Sequence, residues 1–381
     1  MAELTDVAMK NKSFKNTFAD YVVPSTPPRM EEQVLPVTEE ATDEVKKGFY
    51  LPVFTSQHLC AKPKKGKSIF KKSTIPSPEE PVLSVSKGKT DEKYKVEWGL
   101  LESPWREVDF SVDNREALVD YVTSYKPSCD SVSEARVLLL GPVGAGKSSF
   151  ISSVHSVFTG RVTNWAMVGT SSTSLTQKFQ SFPIRRRGES GDQPTALVLC
   201  DAMGLGTGDM TGLTLHDVLA VIKGHAPEGH KFSPDQALRE ETVGYVKKPS
   251  AREKMHCVAF VVDATKIDSY GKGMGFTFQQ LKQHISDLGV HQVALLTHVD
   301  QICPETARDI TKVYRSRLVQ HAMEKAAALL GMSMSYIVPV KNYSCELAVD
   351  EHTNTLLLCA VQHILQYVEL YFQDLTEPRV V

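Results

Sequence analysis

The sequence predicts an α/β fold: a mostly parallel sheet with one antiparallel edge hairpin and helices on both faces. Three observations carry this. Short apolar runs alternate with longer stretches of helical periodicity, the pattern of parallel strands joined by crossover helices. A glycine-rich turn at 141–148 stands between the first apolar run and the first helical stretch. The segment 177–184 alternates polar and apolar residues, and a loop with Gly and Asp separates it from the next apolar run, the signature of an antiparallel pair.

The elements follow in order. Residues 1–95 are rich in Pro, Ser, Thr, Lys and Glu and lack sustained apolar patterns, so they cannot bury enough surface to offset the entropy of ordering. They read as a mostly disordered tail. Within it runs Lys62-Pro63-Lys64-Lys65-Gly66-Lys67, read either as a solvated segment or as a weak contact with acidic partners or a nuclear address. Gly66-Lys67-Ser68 lacks the earlier glycine and the preceding strand that a phosphate loop needs. A leading segment, 96–134, carries Leu118, Val119, Tyr121 and Val122 at helical spacing over 114–125, and Lys126-Pro127-Ser128 breaks it. The main domain spans 135–375. Strands are predicted at 136–140, 195–200, 257–262, 293–297 and 336–340. The last is the weakest, because Pro339 suits a strand edge or end. Helices are predicted at 147–158, 277–288, 305–330 and 353–372.

Bulk properties narrow the function classes. The chain has 381 residues, 41% hydrophobic and 23% charged, with a formal net charge of −2. That supports a buried core and gives no global field toward nucleic acid or anionic membrane, so no specific nucleic-acid partner is expected. The seven cysteines form no C-x-x-C pair and no zinc spacing; they read as small buried hydrophobes in a reducing compartment. The start Met-Ala-Glu-Leu-Thr-Asp lacks a secretory pattern, and no uninterrupted apolar run approaches the roughly 20 residues of a bilayer span. A cytoplasmic location is the expectation.

The chemistry lies in Gly141-Pro142-Val143-Gly144-Ala145-Gly146-Lys147-Ser148, a full match to G-x-x-x-x-G-K-[ST] between a strand and a helix. Glycines let the backbone turn its N–H groups onto anionic oxygens. The following helix, beginning Lys147-Ser148-Ser149, offers its positive end to phosphates. Lys147 supplies a point charge for the β- and γ-phosphates, and Ser148 a hydroxyl for Mg²⁺. Asp201 ends the next apolar run and is placed to hold Mg²⁺. Gly204, three residues on, offers its N–H to the γ-phosphate, and the Gly-rich stretch 206–212 can change shape when that phosphate leaves. For Asp201–Gly204 a plain surface turn is the other reading.

Thr297-His298-Val299-Asp300 ends the fourth strand. A carboxylate there accepts from guanine N1–H and the 2-amino group. Adenine lacks both donors, and a buried unpaired Asp300 would cost roughly 1–3 kcal/mol. This favours GTP and GDP over ATP; a strand-end cap is the alternative role for Asp300. Lysine is usual at position 298, where its stem packs on the base; the His298 imidazole would stack instead. Asn342, after the last strand, completes the base pocket. In 170–174 one hydroxyl, Thr170 or Thr173, is a candidate for Mg²⁺, and a solvated loop is an equal reading.

With these blocks in order the chain resembles a Ras-like P-loop NTPase G domain. More closely, 136–150, 168–170, 199–201, 256–260 and 294–300 are similar to the interferon-induced protein 44 family, over about 98–375. His298 is similar to that family's form of the block. Some members carry an N-terminal TLDc-type domain, which 1–95 does not resemble. The resemblance implies interferon induction, antiviral response, protein partners, GTP binding and a cytoplasmic site. It does not give the oligomeric state.

Local chemistry argues for slow turnover, at most a weak GTPase. In Ras-like enzymes a glutamine after the D-x-x-G glycine orients the attacking water; here Leu205 stands in that place. Val143 brings a β-branched side chain where efficient hydrolysers have glycine. Arg185-Arg186-Arg187, expected in the hairpin loop, reads as solvated charge rather than an arginine finger. Three function classes remain: an interaction protein that binds GTP with little catalysis, an active switch GTPase, and a P-loop ATPase or kinase. The last lacks a basic lid motif.

Overall fold

In the computed structural model the described residues are 99–166, 176–188, 191–206, 212–233 and 235–376. All lie in a unit that runs from Ser86 to Val381. The tail 1–95, and with it the basic run, lies outside them.

Six strands form one sheet: β1 Ala135–Leu140, β2 Gln180–Gly188, β3 Gly191–Asp201, β4 Cys257–Asp263, β5 His291–Thr297 and β6 Ile337–Pro339, in spatial order β2-β3-β1-β4-β5-β6. Only β2 runs antiparallel, paired with β3 from Gln180 opposite Asp201 to Gly188 opposite Gly191. The other neighbours are parallel. β4 is buried at every residue, as expected of a central strand covered on both faces. Pro339 is the last residue of edge strand β6, opposite Leu296, where its missing N–H removes no internal ladder bond.

The helices are α1 Val112–Ser124, α2 Lys147–Thr159, α3 Leu215–Ile222, α4 Lys272–Asp287, α5 Val299–Ile302, α6 Pro304–Arg308, α7 Arg317–Leu330 and α8 Glu351–Thr376. One layer holds α1, α2 and α8, with α1 and α2 each packed on α8; the other holds α3, α4 and α7. The fold is the expected α/β one, a mostly parallel sheet with one antiparallel edge strand and helices on both faces. α8 is long and apolar enough to cross a membrane, at mean hydropathy 1.2. It spends that face on the sheet, burying Leu356, Leu357, Leu358, Val361, Ile364, Leu365, Val368 and Phe372 against β1, β4, β5 and β6.

Three sequence expectations are corrected, and one helix is added. The helix expected over 305–330 is broken: Asp309 (φ −149°, ψ 100°) and Ser316 (φ −78°, ψ 118°) are extended. Each caps the helical turn after it, Asp309 accepting from Thr311 N–H and Ser316 from Val319 N–H. Such caps compete with helix continuation, and the apolar spacing of Ile310, Val313 and Tyr314 concealed the break. α4 begins five residues earlier than position 277, at Lys272. α3, capped by Thr214 accepting from Asp217 N–H, had no clear sequence signal beside the Gly-rich run. Arg185, Arg186 and Arg187 lie within β2, opposite Pro194, Gln193 and Asp192, at the end of the hairpin away from Asp201. They are not loop residues and do not face the phosphate loop.

Candidate nucleotide-binding site

β1, β3, β4 and β5 all end at the same edge of the sheet, so parallel topology alone gathers Gly141, Asp201, Asp263 and Thr297. Ligands of open α/β sheets bind at such carboxyl edges.

The phosphate loop comes directly after β1. Gly141 is forced to be glycine: a Cβ there would lie 2.1 Å from Val261 O on β4. Gly144 (φ +75°) and Gly146 (φ +93°) adopt left-handed backbone, the conformation that turns successive amides inward. Ala145 is buried between them. Lys147 Nζ donates to Gly141 O (2.9 Å) and Pro142 O (3.0 Å), bending the ammonium back over the loop. Burial pulls this ammonium below its ordinary pKa, and the nearby Asp201 carboxylate opposes that. Ser149 stands beside Ser148 in the first turn of α2.

Ser148 Oγ donates to Asp201 Oδ2 at 2.5 Å. Thr176 Oγ1 lies 3.2 Å from Ser148 Oγ and donates to Asp201 Oδ2 at 3.3 Å. Burial pushes the Asp201 carboxyl up; Lys147 and the hydrogen bonds from Ser148, Thr176 and Ala202 N–H pull it back. A buried carboxylate gathering hydroxyls is a donor set of hard oxygens, suited to Mg²⁺. Among the described residues no cluster of three or more His, Cys, Asp or Glu is placed to hold a metal. A cation here would rest on Ser148, Asp201, Thr176 and phosphate oxygens. Thr170 and Thr173, the hydroxyls weighed from sequence, lie outside the described residues. Thr176 ends the same Ser/Thr-rich run, and only its place just before β2 marks it.

The D-x-x-G loop is folded down on the phosphate loop. Leu205 N–H donates to Gly141 O (3.0 Å), and Leu205 pairs with Pro142 in a parallel bridge. Leu205 is 2% exposed, so its side chain belongs to the core. A Cβ on Gly204 would sit 2.8 Å from Val143 Cγ2 and 2.9 Å from Val143 N. Only glycine permits this approach, and Val143 packs against it.

The residues the sequence offers for the base, Thr297, His298, Asp300 and Asn342, lie at the end of β5 and just after β5 and β6. Thr297 Oγ1 donates to Ala145 O (2.7 Å), tying the end of β5 to the phosphate loop. Asn342 Nδ2 donates to Gly146 O (3.2 Å), while its buried Oδ1 has no protein partner. A Cβ on Gly146 would meet Asn342 Nδ2 at 3.0 Å and His298 Cε1 at 3.5 Å, so the loops after β5 and β6 close directly on the phosphate loop. Among the described residues, His298 is the one non-glycine in left-handed backbone, with φ 57°. Such a residue persists where its surroundings over-determine it. Here Asp263 Oδ1 lies 3.2 Å from His298 Nδ1, and Thr297 Oγ1 3.1 Å from it. Asp263, which the sequence reading passed over, is 3% exposed. Burial would raise its carboxyl, but hydrogen bonds from His298 and Thr265 outweigh that and hold it at about 2. Half-buried Asp300 lies in α5. Burial pushes its carboxyl up, its own backbone N–H, Lys341 and His298 oppose this, and Glu346 adds to it. Contacts join Gly146, Lys147, Ser148, Asp201, Gly204, Thr297, His298 and Asn342 around the phosphate loop; Ser149 and Asp300 stand in the adjoining helices α2 and α5, and Thr170 and Thr173 lie outside the described residues.

No family model matches the chain. Among solved structures, a "probable GTP-binding protein engB" aligns with 11% identity and TM-score 0.35, covering 62% of this chain and 100% of that one. Era of Aquifex aeolicus bound to GDP·AlF4⁻ aligns with 14% identity and TM-score 0.32, covering 61% and 56%. Interferon-induced protein 44 of Homo sapiens is 34% identical over 270 residues, 71% of this chain and 60% of that protein. Interferon-induced protein 44-like of Homo sapiens is 34% identical over 264 residues, 69% and 58%. The protein 44 of Mus musculus is 33% identical over 258 residues, 68% and 60%. The chain thus spans about 60% of the length of these curated relatives. On this similarity, the chain belongs to the interferon-induced protein 44 family.

Proposed function

We propose that this chain binds GTP and GDP with Mg²⁺, hydrolyses GTP slowly or not at all, and works as a nucleotide-dependent interaction protein. Guanine specificity rests on Asp300, a half-buried acceptor in α5 just after β5. Lys147 and the amides of 141–148 take the phosphates. Ser148, Asp201 and Thr176 would hold Mg²⁺, whose charge neutralises that of the phosphates when bound.

The observation that carries slow turnover is the burial of Leu205 with its N–H on Gly141 O. The position that would orient an attacking water holds an apolar side chain turned into the core. Val143 against Gly204 fills the adjoining space. Single-turnover cleavage of bound GTP tests this. The expected rate is at or below the roughly 10⁻⁴ s⁻¹ intrinsic scale of Ras; a rate far above it refutes the slow reading and favours an active switch. Family membership supports the further inference of interferon induction, an antiviral role and a cytoplasmic site. The named relatives are longer than this chain, so these remain part of the proposal.

A further inference from the structure

The phosphate loop has a second cation beside it, supplied by a segment with no sequence motif. After β4 a 3₁₀ turn, Ala264–Ser269, starts from Asp263, whose Oδ1 accepts from Thr265 N–H (2.9 Å) and Thr265 Oγ1–H (2.7 Å). Asp268 in this turn pairs with Lys325 of α7 at 2.6 Å, which braces it on the sheet. Lys266 projects from the turn. Its Nζ lies 3.2 Å from Asp263 Oδ2 and 3.4 Å from the point a Cβ on Gly144 would occupy. Gly144 is exposed, left-handed and central to the loop. The ammonium thus sits at the open side of the phosphate loop, whereas Lys147 covers the buried side.

Asp263 ties this cation to the base loop. One of its oxygens faces Lys266 and the other His298, the residue standing where related loops place lysine. Lys266 delivers its charge to Gly144 from the turn after β4. We propose that Lys266 is a nucleotide-binding residue: its ammonium contacts the β- and γ-phosphate oxygens at Gly144, with Asp263 holding it and His298 as one unit. When Lys266 turns to phosphate, Asp263 keeps His298 and Thr265, so the buried carboxylate is not stranded. The side chain of Lys266 is 50% exposed, which leaves the stem free for that turn.

This rests on the nucleotide-binding reading above, and the test separates the two. Affinities for GTP, GDP and GMP are measured for wild type, Lys147→Ala, Lys266→Ala and Lys266→Arg at low and high salt, with melting of each nucleotide-free protein. Lys266→Ala is expected to lose about tenfold for GTP and GDP, and much less for GMP. Its GTP affinity should depend less on salt, its melting should match wild type, and Lys266→Arg should restore binding. Wild-type affinity of Lys266→Ala for GTP and GDP, or an equal loss for all three nucleotides, overturns the proposal while leaving nucleotide binding intact. A wild type that binds none of the three, with Lys147→Ala indistinguishable, sinks the underlying reading instead.

Discussion

Ser148 Oγ and Asp201 Oδ2 stand 2.5 Å apart, joining the start of α2 to the end of β3. The two residues lie far apart in sequence and meet only because β1 and β3 are parallel neighbours. The same oxygens are those suited to a hard divalent cation. Ser148→Ala and Asp201→Asn are each expected to weaken GTP binding about tenfold with Mg²⁺ present and to change it little in excess EDTA. Titration of a fluorescent GTP analogue under both conditions reads the difference. Equal losses with and without Mg²⁺ would assign the pair to structure alone.

In the proposed function Asp300 selects the base. Asp300→Asn replaces a double acceptor by a group that must also donate, which mismatches the two guanine donors. GTP affinity should fall by about 10- to 100-fold, the range of roughly 1–3 kcal/mol for an unmet buried partner. Xanthosine triphosphate, with a carbonyl in place of the 2-amino group, should bind the variant better than GTP does. Competition between the two nucleotides checks this.

Gly141 fixes how closely β1 can approach β4. Gly141→Ala puts a methyl 2.1 Å from Val261 O, and neither central strand can yield cheaply. Overpacking of this kind costs about 1–3 kcal/mol or more, about 2–12 °C in Tm for a domain of this size. Gly160→Ala, at the end of α2, has open space around the new methyl and only the cost of φ +69°, so its Tm should fall less. Thermal melting of the two variants ranks them.

His256 gives the fold an acid limit. Its Nδ1 accepts from Arg136 N–H (3.0 Å) and its Nε2 donates to Ala251 O (2.9 Å), which fixes a neutral tautomer. Burial pulls its pKa from 6.5 to about 4, with the Ala251 hydrogen bond opposing and Arg136 assisting. Because the folded value is depressed, the unfolded chain takes the proton first. Stability is full above pH 6.5 and falls as pH drops toward about 4. The loss should reach about 2 kcal/mol by pH 5. Denaturant unfolding of wild type at pH 7.5 and 5 should show it, and His256→Gln should lose less over that interval.

Residues were legible in the sequence when their partners are local or their position on the sheet is implied by an apolar run. The phosphate loop was readable because strand, glycines, Lys147 and helix are contiguous. Asp201 and Asp300 were readable because a carboxylate ending an apolar run sits at the carboxyl edge of a parallel sheet. Asp263 obeys the same rule and was passed over, since its partners Lys266 and His298 come from different loops. Thr176 lay in a run of equivalent hydroxyls, and only its geometry against Ser148 and Asp201 separates it. The break at Asp309 and Ser316 was hidden because capping side chains do not disturb the apolar period around them. Arg185–Arg187 were misplaced because β2 extends past Ile184 through residues with no apolar alternation.

The central claim is that the turn between β1 and α2 holds a guanine nucleotide through Lys147. The most direct measurement is the nucleotide released on denaturing gently purified protein, for wild type and Lys147→Ala side by side. GTP or GDP near one equivalent from the wild type, and little from the variant, is the predicted result. No nucleotide from either protein, even after incubation with millimolar GTP, GDP or ATP, would contradict it.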